Sequence, residues 1–180
     1  MRKIYYLLFA AALLLFCSTA FTQSTAVFMA AFDQNGVKID GGSTTPGHLK
    51  DIEVFSYSFG VSESCVSQTC NSDMSDFSIM MNLNPASIVL KMMTLTGLHL
   101  KKVDVSYRKS GATYDYYNIH MENVLVTSVQ EAGSSETPTI SVSLHAQKIA
   151  WQYTADNTGA AGKKTKGGWD NDQKAPWTYY

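Results

Sequence analysis

Ile140-Ser141-Val142-Ser143-Leu144-His145-Ala146-Gln147-Lys148-Ile149-Ala150-Trp151-Gln152-Tyr153 is the stretch whose reading decides the fold. Apolar residues fall on alternate positions, the period of a β-strand with one face buried. The parity changes midway: Ile140, Val142 and Leu144 are even, whereas Ile149, Trp151 and Tyr153 are odd. A strict two-residue period cannot do this without a slip, so a β-bulge or sharp bend is expected near Ala146 to Lys148. The strand as a whole is expected from about Thr139 to Thr154.

Working outward, the same reading gives further strands. Ala26 to Phe32 is apolar and ends at the turn signal Asp33-Gln34-Asn35-Gly36. Ile52 to Phe59 places Phe55, Tyr57 and Phe59 on one face, and Asp76 to Leu83 follows as another strand. In His99 to Lys109, Val103, Val105 and Tyr107 face one way and Lys102, Asp104, Ser106 and Arg108 the other, so this strand is half-buried. Ser110-Gly111-Ala112 turns the chain into a strand from Thr113 to Val129. Gly60 to Ser75 is rich in serine and reads as a long loop, a feature that is uncommon in compact domains and often functional. Near the end a short strand is expected around Gly168 to Asp170. The aromatic tail with Trp177, Tyr179 and Tyr180 can dock on the body or on a neighbour.

One helix interrupts the strands. Asn84 suits the N-cap, Pro85 the first helical position and Gly97 the left-handed end. Between them Ile88, Val89, Met92, Met93 and Leu95 recur at helical spacing, with the methionines as core filler. Long curved antiparallel strands and one helix give a mainly β fold: a small antiparallel barrel of two packed sheets, capped by a helix over about residues 85–96.

The N-terminus has a different character. Arg2 and Lys3 precede thirteen apolar residues, Ile4 to Phe16, and Ser18-Thr19-Ala20 follows. That is the layout of a secretory signal peptide. The apolar run would span only about 20 Å as a helix, too short for a stable membrane anchor. Phe16 before Cys17 is too bulky for a lipoprotein site. Removing residues 1–20 leaves 12 basic residues against 15 acidic, a net charge of −3. This balance points to no nucleic-acid groove. An exported protein, secreted or periplasmic, is expected. Residues 24–171 form its barrel domain and 172–180 its tail.

Of the three cysteines only Cys65 and Cys70 remain after cleavage, an even pair in an oxidising compartment. A disulfide closing so short a loop would contribute about 2 kcal/mol by chain entropy. Two free thiols on a loop are the alternative, and too few ligands lie nearby for zinc.

The search for catalytic chemistry finds no Gly-x-Ser-x-Gly elbow, phosphate loop, dinucleotide fingerprint or His-Glu-x-x-His, and no cofactor is implied. His48, His99, His120 and His145 are scattered. His120 and His145 lie on strands that can be neighbours, and Glu122 shares a face with His120. No nucleophile is marked beside that pair, and a structural role outweighs a catalytic one.

Several segments, taken in order, resemble the Hcp family of type VI secretion. They are Ile52 to Ser62 with its Ser-aromatic-Ser-aromatic-Gly run, Thr96 to Lys102, Tyr107 to Gly111 and Glu122 to Val129. The set continues through Val142 to Leu144, Lys148 to Tyr153 and Lys163 to Asp170. The similarity runs over residues 26 to 171. The resemblance implies a non-enzymatic barrel subunit that forms hexameric rings with copies of itself. The rings stack into a tube that can carry effector proteins in its lumen. It also implies a ring-stacking role for the loop after the early strand, here Val61, Ser62, Glu63, Ser64, Cys65, Cys70 and Asp73. This chain departs by placing two cysteines in a loop more usually Gly/Ser-rich. It departs further in its signal peptide, because a type VI tube assembles in the cytoplasm. A secreted binding module reusing the barrel is the second reading, and an exported hydrolase the third.

Overall fold

The computed structural model describes residues 25–67, 69–133, 136–157 and 160–180. The expected signal peptide lies outside the described residues. The elements in chain order are β1 (Thr25–Phe32), β2 (Ile52–Ser58), β3 (Val61–Val66), β4 (Thr69–Met74) and β5 (Phe77–Asn82). After these come α1 (Pro85–Thr96), β6 (His99–Lys109), β7 (Tyr117–Ala132), β8 (Thr139–Asn157), β9 (Ala160–Asp170) and β10 (Ala175–Pro176).

Six strands close a barrel in the order β8-β5-β2-β1-β6-β7, and β7 returns to β8. The alternating sequence of β8 makes this possible, because its two halves serve different neighbours. Residues 139–144 pair with β5 and residues 148–157 with β9, while β7 lies along nearly its whole other edge. The seam between β1 and β2 is the shortest in the barrel, three residue pairs from Val27↔Val54 to Met29↔Ile52. The core fills the interior with Met29, Ile52, Phe77, Met81, Leu100 and Met121 among its fully buried side chains.

The parity change in β8 is present but takes another form than a bulge. Pairing with β7 passes from Glu122↔Lys148 to Val124↔Ala146 without a register shift. Core-facing residues switch from Ala146 to Ile149 in β8, from Val124 to Met121 in β7 and from Leu100 to Val103 in β6. Three adjacent strands therefore take the same extra residue at the same row, so the register survives. Asn123, in the middle strand, sits at φ 48°, a left-handed conformation that asparagine tolerates better than most side chains. Its amide donates to Gln147 Oε1 at 2.7 Å, and its Oδ1 meets His99 Nδ1 at 2.7 Å. The true register shift in this ladder lies between Val126 and Ser128, and Thr127 uses its hydroxyl to reach Asp76 Oδ2 at 2.5 Å.

Four other expectations change. Gly60 to Ser75 is not an irregular loop but mostly a second sheet, the hairpin β3-β4. Nearly all its residues face solvent, so no alternation of apolar and polar residues announced it. The late strand is eleven residues rather than three, because Lys-Lys-Thr-Lys-Gly-Gly at a sheet edge carries no buried face to read. In β2 a register shift between Val54 and Ser56 breaks the supposed aromatic face. Phe55 points largely to solvent, whereas Tyr57 and Phe59 both pack on Phe77.

The fourth concerns the helix. Asn84 holds the N-cap position, Pro85 opens the helix and Gly97 ends it at φ 67°, as the sequence signals suggest; the Asn84 backbone N–H donates to the Ser87 hydroxyl, a contact those signals did not include. The buried face, however, is Ala86, Ser87, Leu90 and Met93. Ile88, Val89, Met92 and Leu95 are exposed, so Met92 is no core filler. Small residues at 86 and 87 let the helix lie close on the barrel over a narrow stripe, and the rest of its apolar surface is left uncovered.

Leu90 and Leu95 test this assignment. Leu90→Ala empties a fully buried site and should cost about 2–5 kcal/mol in urea unfolding. Leu95→Ala, at a position 80% exposed, should change stability by less than about 0.5 kcal/mol.

Candidate functional site

The residues singled out in the sequence converge on the hairpin. In its register Val61 pairs with Met74, Ser62 with Asp73, Glu63 with Ser72, Ser64 with Asn71 and Cys65 with Cys70. Cross-strand facing brings the two cysteine Cα atoms to 4.0 Å, and the sulfurs are bonded at 2.02 Å. Glu63 lies within 4.8 Å of both sulfurs. With both thiols engaged in the disulfide, one carboxylate remains there, too few donors for a metal site.

The hairpin is exposed along its length and anchored at its base. Met74 is buried, Ser75 N donates to Gly60 O at 3.0 Å, and Gly60 N donates to Ser75 Oγ at 2.8 Å. Asp76, the next residue, accepts from Thr127 Oγ1 and contacts His145 Nδ1 at 3.0 Å. From the other side Lys174 Nζ donates to Ser72 O at 3.2 Å. Between the hairpin and the barrel wall lies an open cleft of 460 Å³. Trp151 and Trp169 form its far side, and Val61, Glu63, Asp73 and Met74 are among the hairpin residues that line it. Trp169 and Trp151 reach the cleft only through the β8-β9 pairing, a relation between strands that local pattern does not contain.

A second cluster surrounds His120. Pairing of β6 with β7 sets Asp104 opposite His120, and His120 Nδ1 makes a short contact with Asp104 Oδ1. Glu122, the expected partner, is farther, with Oε1 at 3.5 Å from Nε2. His145 is not a neighbour: it faces Leu125, whereas His120 faces Ala150. Tyr179 stacks on the His120 ring at 3.6 Å, and Trp177 lies beside both. The aromatic tail therefore docks on the body and leaves His120 1% exposed. Gly168 permits the crossing, because a Cβ there would stand 2.5 Å from Trp177 O.

Burial alone would raise the Asp104 carboxyl, but the hydrogen bond and charge of His120, helped by Lys102, hold it below the usual carboxylate range. Burial, followed by Tyr57, pushes the Tyr107 phenol up, and burial also raises Tyr180. Both stay neutral in ordinary buffers.

A third network pins the segment between β1 and β2. Buried His48 stacks on Phe28 at 4.0 Å and reaches Asp51 Oδ2 at 2.8 Å and Asp115 Oδ1 at 3.2 Å. Arg108 Nε donates to the same Asp115 oxygen at 2.8 Å. Sequence distance hid this network, since its residues come from three separate segments.

Two outcomes follow from these geometries. A carboxyl lowered in the folded state contributes stability that is present above its unfolded pKa of about 3.9 and is lost as pH falls through the folded value. Urea midpoints should therefore drop below about pH 4, and Asp104→Asn should flatten that drop while lowering the midpoint at neutral pH. For the disulfide, the unreduced protein should weigh two hydrogens less than the reduced one. Replacing Cys65 and Cys70 by Ser should open Val61–Met74 to proteolysis with little change in the barrel's unfolding midpoint.

Comparison with known proteins bears on what this barrel is. The family described as "Type VI secretion system effector, Hcp" matches residues 28–153. No curated protein matches the sequence. Among solved structures, a type six secretion system protein is 22% identical with a TM-score of 0.76, the match covering 86% of this chain and all of that one. Hcp1 from Salmonella typhimurium is 20% identical with a TM-score of 0.70, over 86% of this chain and 99% of its own. A type VI secretion system effector from Yersinia pestis is 24% identical with a TM-score of 0.67, over 80% and 98%. At these identities the likeness is one of fold, and the family match over most of the chain supplies the rest: the chain belongs to the Hcp family and is a structural subunit of type VI secretion.

Proposed function

We propose that the protein works as a ring-forming tube subunit whose disulfide-closed hairpin contacts the next ring. The observation that carries this reading is the hairpin itself. It forms a separate two-stranded sheet, exposed along β3 and fixed to the barrel at its base by Met74, Gly60 and Ser75. Six residues of β3 would extend about 20 Å from that base. A barrel needs no such element for its own core.

The uncovered stripe of α1 supports lateral contact between subunits. Ile88, Val89, Met92 and Leu95 form an apolar surface of the kind that marks protein interaction sites. A non-enzymatic role is supported by His120, whose ring is closed off by Tyr179 and Trp177 and so offers no route to a substrate. Effector proteins are the proposed cargo of the ring lumen. Cleavage after Ala20 and release outside the inner membrane fit a cysteine pair that is oxidised in the folded chain.

Size-exclusion chromatography with light scattering on the mature protein tests the assembly. A ring should give a mass near six subunits, and Met92→Lys with Leu95→Lys should shift it to a monomer that keeps its circular dichroism spectrum. A monomer at all concentrations in the unaltered protein would overturn the reading.

A further inference from the structure

The cleft beneath the hairpin carries a chemistry that neither the barrel core nor ring assembly uses. Met74 is buried in the core, so the hairpin face that bears it looks inward. Register and strand alternation put Val61, Glu63 and Ser72 on that same face. Across the cleft, Ile149↔Trp169 and Trp151↔Gly167 are pairs two residues apart in the β8-β9 ladder, so the two indoles lie diagonally on one side of it. Phe59 packs on Trp151 with ring centroids 6.1 Å apart. Gly167 leaves the space beside Trp151 empty, since a Cβ there would meet nothing within 4 Å. An aromatic floor thus faces an acidic roof. The 460 Å³ between them falls in the range of about 300–1,000 Å³ that ligand clefts occupy.

The charge in this cleft has one sign. Glu63 and Asp73 both line it, and neither joins an ion pair among the described residues. Neighbouring cations are turned elsewhere. Lys174 Nζ donates to Ser72 O and Asn171 Oδ1. Lys166 falls on the opposite face of β9 from Gly167 and Trp169, beside Trp177 and Tyr179. A guanidinium meets both walls at once: it stacks flat on an indole and offers a planar fork of N–H donors to a carboxylate. A lysine ammonium is compact and strongly hydrated, and it does not stack. A neutral sugar stacks on indole but leaves the carboxylates uncompensated. Free arginine would bring a carboxylate of its own to a cleft already lined by two, whereas an arginine within a polypeptide does not. Copies of this chain do not supply one. Its only arginines are Arg2, in the expected signal peptide, and Arg108, held by Asp115 and Pro46 O.

We infer that the cleft takes an arginine side chain of a different polypeptide, with the guanidinium on the indole floor and hydrogen-bonded to Glu63. The site goes beyond the tube-subunit reading and does not require rings to form.

Nuclear magnetic resonance of the isotope-labelled mature protein tests this. Its three tryptophans give three indole N–H signals, and Trp177, docked beside His120, is the internal control. The capped peptide acetyl-Ala-Ala-Arg-Ala-Ala-amide should move the Trp151 and Trp169 signals to saturation and leave Trp177 in place. The same peptide with lysine or neutral citrulline in place of arginine should bind about tenfold more weakly, as should free L-arginine. E63Q should weaken the arginine peptide by about tenfold, the loss of one charge-assisted hydrogen bond. G167L should abolish its response by filling the space beside Trp151, with the Trp177 signal reporting an intact fold. Lysine or citrulline peptides that bind as well as the arginine peptide overturn the inference, as does cellobiose moving the two indoles where the peptide does not. Free arginine that matches the peptide overturns the polypeptide partner. An arginine response retained in full by E63Q or by G167L overturns the site. Light scattering reads ring formation separately, so a monomeric protein that binds the peptide would overturn the tube-subunit reading and leave this one standing.

Discussion

Closure of the barrel rests on β8. Among the described residues it is the one strand that pairs along one side with a single long partner and along the other with two successive ones. Backbone donors and acceptors cannot be buried unpaired, so a nineteen-residue strand needs a neighbour wherever β5 is too short to supply one. β9 fills that need. Its pairing then places Trp169 beside Trp151 at the foot of the hairpin and sets Gly168 under the tail. The hairpin cleft and the docked tail both follow from how β8 is satisfied.

The fold was legible where one face of an element meets the core and the other meets water. β6 was read to its boundaries, and α1 was found with its cap, its first-position proline and its closing glycine. Elements without such contrast escaped. The hairpin has solvent on both faces, and β9 consists mostly of small and charged residues with no alternating apolar face. Helical periodicity revealed a helix but not which stripe would be buried. Ala86 and Ser87 were overlooked because small residues weigh little in a pattern of large apolar ones, although their size decides how closely the helix can lie.

The candidate site was legible in membership but not in form. Every residue nominated between Val61 and Asp73 falls on one hairpin, yet regular strand pairing was not foreseen. His120 shows the same limit. Its nearest carboxylate comes from β6 through register, a relation between strands that no local spacing contains. Networks such as His48, Asp51, Asp115 and Arg108 join segments more than sixty residues apart. Proximity of that kind is created by the fold, and it fixes the segment after β1 where hydrophobic pattern gives no instruction.

The shared row through Lys101, Asn123 and Gln147 bears on how this barrel can change length over evolutionary time. Each of three adjacent strands carries one residue more than strict alternation allows, and the pairing holds only because all three do. Losing that residue from β7 alone would turn Ile119 and Met121 outward or break their register with both neighbours. A lineage could shed the row in one step only by deleting from all three strands at once. Point substitution can drift freely around it, but insertions and deletions are locked out, so the row should outlast much of the sequence that surrounds it.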